Sequence, residues 1–109
     1  MAYSTTLRDA LDPAVMTLPG VSARAMFGAH CYMVDGKMFL ILLGDSVILK
    51  PALSDEGPLR ESVGAVPWSY LPGRTFGRFM EIGAGASGDT ERMIPFIHAA
   101  CEARRRERK

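Results

Sequence analysis

The sequence predicts an α+β fold: an antiparallel β-meander plus a C-terminal β-hairpin, flanked by N- and C-terminal helices. Three observations predict it. Asp35-Gly36 and Gly44-Asp45 each separate two strand-like runs by two residues of tight-hairpin composition. Pro72-Gly73 turns a third pair of runs later in the chain. Apolar residues recur at helical spacing only toward the two ends, at Leu7, Leu11, Ala14 and Val15, and at Met93, Phe96, Ile97, Ala100 and Cys101.

The elements follow in order. Ser4 or Thr5 caps a first amphipathic helix, in which Pro13 removes a backbone donor and forces a bend or a restart. Leu18-Pro19-Gly20 ends it. Val21 to Phe27 alternates as a strand, and Gly28 permits the bend into a second strand, Ala29 to Val34. Asp35-Gly36 is the clearest local signal, a turn that needs positive φ at both positions. Lys37 to Leu43 is apolar on both faces and therefore reads as a central strand. Gly44-Asp45 leads to a fourth strand, Ser46 to Lys50, stopped by Pro51. Ser54 to Pro58 opens a short helix closed by Gly64. Pro67 to Leu71 and Phe76 to Ile82 form the hairpin. Asp89 or Thr90 caps the last helix, where Pro95 is tolerable if the helix begins close to it.

Composition bounds the class. A chain of 109 residues, 48% hydrophobic and 23% charged, fits one globular domain spanning 1–109. No apolar leader opens the chain, and the longest apolar run, Met38 to Leu43, is too short for a bilayer, so a cytoplasmic protein is expected. Cys31 and Cys101 then read as reduced thiols. The last six residues hold five bases and one acid, a basic C-terminal tail at 104–109 of net +4. Against an overall +1, the remainder carries −3. Any attraction to phosphate would come from Arg104, Arg105, Arg106, Arg108 and Lys109, although arginines at a helix C-terminus also suit its dipole.

No catalytic constellation emerges. Gly83 to Gly88 matches a dinucleotide fingerprint by letter but lacks the second strand and its acidic residue, so it reads as a loop before a capped helix. His30 and Cys31 are strand neighbours facing opposite ways, and His98 with Cys101 supplies only two ligands, so no metal or other cofactor is expected. Arg78 and Glu81, three apart on a strand, also face opposite ways. Trp68, Tyr70, Phe76 and Phe79, with Arg74 and Arg78 between them, could stack on bases but fit a core better. Met26, Met33 and Met38 suit gap-filling or an adaptable surface.

Arg24-Ala-Met26-Phe27-Gly28, Tyr32, Asp35-Gly36-Lys-Met38-Phe39, Leu49-Lys50, Gly64, Pro67-Trp68-Ser-Tyr70 and Phe96-Ile97 with Ala100 occur here in one order. In these the chain resembles the N-terminal domain of the TfoX/Sxy family, named for a bacterial regulator of competence genes. The resemblance implies a compact α+β domain and a regulatory or protein-interaction module, with no cofactor and no catalytic residues. It also implies action in transcription regulation. Two features depart from the family: Phe79-Met-Glu-Ile-Gly-Ala-Gly stands where members carry a Tyr-rich segment and Pro-Glu-Glu, and the second domain of longer regulators has no counterpart. Arg24, alone in an apolar strand, is expected to pair with a carboxylate or cap loop carbonyls. Gly28 and Lys50 are read as framework, and the motif as an interaction surface second. Three functions follow as expectations: a non-enzymatic module with an unidentified protein partner, a nucleic-acid binder using the basic tail and aromatic hairpin, or a small enzyme. A homodimer through a sheet edge is a further expectation.

Overall fold

The computed structural model describes residues 3–26, 28–71, 74–83 and 90–107, without the side chains of 70–71 and 74–77. Its elements are α1 (Thr5–Met16), β1 (Val21–Met26), β2 (Ala29–Val34), β3 (Lys37–Leu43), β4 (Ser46–Leu49), a 3-10 turn (Leu53–Asp55), α2 (Glu56–Val63), β5 (Val66–Leu71), β6 (Arg74–Ile82) and α3 (Thr90–Arg106). That is the expected order. All six strands join one sheet, ordered β1-β2-β3-β4-β6-β5, and every neighbouring pair is antiparallel. The later hairpin therefore extends the meander through β6.

The turns form for the reasons visible in the chain. Asp35 and Gly36 take φ of 52° and 80°, and Val34 faces Lys37 across them. Gly44 takes φ of 57° between the paired Leu43 and Ser46. Gly20 takes φ of 76°, which strains any other residue, and a Cβ there would lie 2.6 Å from Asp35 Oδ1 and push that carboxylate aside. The Asp35 N–H donates to Gly20 O at the same place.

Ser4 caps α1 by accepting from the Leu7 N–H at 3.2 Å. Neither helix proline breaks its helix. Pro13 lies inside α1, and Pro95 lies a full turn into α3, deeper than expected. Both are exposed, as are Asp9 and Glu91, whose carbonyls lose their donors. On an outward face water can satisfy the carbonyl that the missing N–H leaves free, so the helix continues instead of ending. Asp89, the alternative cap, and the Gly-rich stretch 84–88 lie outside the described residues.

Two cores flank the sheet. The larger takes Leu7, Leu11 and Val15 from α1, Leu59 from α2, and Met93, Ile97, Ala100 and Cys101 from α3. These pack against Tyr32, Phe39, Leu40, Leu42, Val47, Leu49, Met80 and Ile82. The smaller, on the other face, draws among the described residues on strands: Ala29, Cys31, Ile41, Ile48 and Phe79, edged by half-buried Met26, Met38, Leu43 and Trp68. β3 supplies both, as a strand apolar on both faces must. The two buried thiols sit on opposite faces and are free. Burial raises the pKa of each, so neither is an activated nucleophile.

Candidate interaction surface

The register lays one row of residues across the second face: Arg24, Cys31, Ile41, Ile48, Glu81 and Val66 face one another in turn from β1 to β5. The middle of the row is buried. Its margins are not: Arg24 is exposed and Val66 is 53% exposed. Glu81 accepts a hydrogen bond from Ser46 Oγ at 2.8 Å. Arg24 makes no hydrogen bond or ion pair among the described residues, so the expected internal partner is corrected. A strand at the sheet edge has a neighbour on one side only, and β1 exposes four successive residues, Ser22 to Ala25.

The rest of the motif divides between framework and surface. Phe39 is fully buried in the larger core. Asp35 and Gly36 make the turn packed against Gly20, and Gly28 takes φ of 78°. Met26 and Met38 rest half-buried on the smaller core, as does Trp68, which meets the Phe79 ring edge-on with centroids 6.3 Å apart. Those two aromatic residues thus serve the smaller core. The side chains of Tyr70 and Phe76, and all of Phe27, lie outside the described residues.

The stretch read as a basic tail begins inside α3, which runs to Arg106. Arg104 Nε donates to Met38 O at 3.0 Å, and its guanidinium also binds the Glu107 carboxylate. Arg105 donates to Pro19 O at 2.7 Å and pairs with Glu102. From the sheet, Lys37 Nζ donates to the carbonyls of Arg105 and Glu107, and Lys50 Nζ pairs with Glu107 at 2.9 Å. Cations at a helix C-terminus satisfy its last carbonyls and its dipole together. The Lys50 hydrogen bond, aided by Arg104, holds the Glu107 carboxyl below the usual carboxylate range. Arg106 is exposed, while Arg108 and Lys109 lie outside the described residues. Of the five proposed phosphate contacts, Arg104 thus fastens the last helix to β3 and Arg105 fastens it to the turn before β1.

Sequence reasoning missed one polar cluster, at the margin of the larger core. Tyr3 bridges to Gly44, and Ser4 N–H donates to Gly44 O at 2.8 Å, which pins the start of the chain to the turn between β3 and β4. His30 then lies between Tyr3 (centroids 5.1 Å apart) and Tyr32, whose ring it meets at 89°. Tyr32 donates its phenolic proton to Asp12 Oδ1 at 2.7 Å. His30 Nε2 is 4.0 Å from the same oxygen and is buried without a hydrogen bond. Burial lowers the imidazole pKa, against the pull of Asp12 and with the push of Arg8. Burial and the Asp12 bond raise the Tyr32 phenol. His30 and Tyr32 are two apart on β2 and so share a face, but Tyr3 and Asp12 lie about twenty or more residues away, and no spacing could announce them.

His98 Nε2 contacts Ala14 O at 3.2 Å, tying α3 to α1, while Cys101 is buried in the core. Among the described residues no three His, Cys, Asp or Glu groups converge for a metal ion. Arg78 and Glu81 take opposite faces as expected. Arg78 pairs with Glu56 at 2.9 Å and donates to Pro51 O, joining β6 to the start of α2. Among the described residues no helix is long and apolar enough to cross a membrane.

The family described as the TfoX N-terminal domain matches residues 14–104 of this chain. No curated protein matches it.

Proposed function

The chain belongs to the TfoX N-terminal domain family, and on that premise we propose that it is a non-enzymatic regulatory module acting on transcription through a protein partner. The observation that carries this reading is Arg24. It lies in the family motif, on the margin of the second sheet face, exposed and with no internal partner among the described residues. On the same face Met26, two residues along β1, and Met38 of β3 are half-buried, and methionine side chains adapt to a partner at little cost. Most other conspicuous cations (Lys37, Lys50, Arg78, Arg104 and Arg105) hold the fold's own carbonyls and carboxylates.

The test is capture of partners from a native extract by the wild-type chain and by Arg24→Glu, with a transcription readout on deletion. Charge reversal should weaken capture by at least about tenfold, the usual cost of a desolvated charge pair. Thermal stability should stay within about 0.5 kcal/mol, as for a surface change. Equal capture by both proteins, or an unchanged transcript profile, overturns the reading. So would salt-dependent DNA binding abolished by Arg106→Glu, since that locates the function at the helix end.

A further inference from the structure

We propose that β1 is a self-pairing edge: two copies of the chain join β1 to β1 antiparallel, centred on Ala23, into one continuous sheet. This goes beyond the regulatory reading and does not depend on it.

The two edges of the sheet are built differently. β5 carries Pro67, and its register with β6 shifts between Pro67 and Ser69 and again between Ser69 and Leu71. Proline and bulges are the usual devices that stop an edge from pairing further. β1 has neither. Its six residues hold unbroken register with β2, contain no proline, and carry one charge.

Hydrogen-bond alternation shows which groups face outward. Two residues separate Met26 from Ala29, so this closing pair exchanges both of its bonds, and Arg24 and Ser22 follow as inward-bonded positions. The flanking bonds agree: Gly20 O accepts from Asp35 beside β2, whereas Val21 N–H turns away to Leu18 O. Ala23 and Ala25 therefore present their N–H and C=O groups at the open edge.

A twofold axis normal to an antiparallel pair sets each residue opposite its own copy at the centre, so the centre must be an outward position. Val21 has a donor already engaged. Arg24 faces inward, and centring there would oppose two guanidinium groups. Ala23 uses most of the strand. It places Ala23 against Ala23 and Ala25 against Val21, and sets each Arg24 opposite Ser22 of the other copy. Ser22, Ala23 and Ala25 are small and exposed, so none of these three side chains obstructs the approach. The two Arg24 side chains then stand diagonally across the axis on one face, a doubled cationic locus.

The test is molar mass by light scattering over a chain-concentration series, for wild type, Ala23→Pro and Ala23→Lys. Wild type should rise from 11.9 kDa toward twice that mass. Proline at an edge position whose N–H faces solvent leaves the monomer folded, which circular dichroism checks. It should weaken the dimer about thirtyfold, the worth of two backbone hydrogen bonds. The lysine variant opposes two ammonium groups at the axis and should also shift the protein to monomer, less so at high salt. Because Arg24 reaches only Ser22, Arg24→Glu should remain dimeric, which separates this result from the partner test. A wild type that stays monomeric at millimolar concentration overturns the proposal. So does a dimer that survives in both Ala23 variants.

Discussion

The two faces of the sheet share β3 yet are stabilised differently. On the first face three helices close over the strands, and Leu7, Leu11, Leu59, Met93 and Ile97 interlock with Phe39, Leu40, Leu42 and Leu49. On the second face, among the described residues, Cys31, Ile41, Ile48 and Phe79 are sheltered by residues of the strands themselves, with Met26, Met38, Leu43 and Trp68 at the rim. The first is packing between layers, where rigid backbones on both sides hold any void open. The second is packing within a layer, and its rim includes unbranched methionines that can shift into a gap. Equal burial therefore does not mean equal cost of removal.

Adjacent residues of β3 give the sharpest test. Leu40 faces the helices and Ile41 faces away, and both are almost wholly buried. Leu40→Ala should cost about 3–4 kcal/mol in urea unfolding, near the upper part of the range for core truncations. Ile41→Ala should cost about 2 kcal/mol, because Met38 and Leu43 can close the space. Equal losses at the two positions would break the distinction between the faces.

That distinction was only partly legible in the chain. The dual apolar character of Lys37 to Leu43 announced a central strand, and the Asp35-Gly36 and Gly44-Asp45 turns fixed the meander, because both signals are local. Whether β1 was central or marginal was not legible. Val21-Ser-Ala-Arg-Ala-Met alternates weakly with small residues, and only the count of neighbouring strands exposes Arg24. The prolines misled in the other direction. A sequence shows that Pro13 and Pro95 lack an N–H, but not that both look outward, where the loss is cheap. The fastening of the α3 end by Lys37 spans 68 and 70 residues, beyond any local pattern.

That fastening gives the next largest effect, since it decides how firmly the first face is closed. Lys37→Met keeps the aliphatic stem but removes two donors to the terminal carbonyls of α3. The expected cost is about 1 kcal/mol, a fall in Tm of about 4 °C for a chain of this size. Amide exchange should quicken in the last turn of α3 and stay unchanged in β4. A uniform change across the sheet would mean that Lys37 acts on the whole fold and not on the helix end.

The smallest effect tests the polar margin of the first face, where Asp12 of α1 meets β2. Burial outweighs the attraction of Asp12 at His30, so the folded chain takes up that proton at lower pH than the unfolded chain, whose histidines titrate near about 6.5. Below that value the unfolded state binds more protons, and stability must fall as the pH drops toward the folded pKa. Arg8 adds to the penalty, while Tyr3 and Tyr32 shield the ring on its two sides. His30→Phe keeps an aromatic ring between the two tyrosines and removes the titration. Between about pH 7.5 and about pH 5, wild type should lose a few tenths of a kcal/mol more than the variant. A variant with the steeper loss would mean that Asp12 captures the imidazolium, through a movement of α1 that brings its carboxylate from 4.0 Å into hydrogen-bond range.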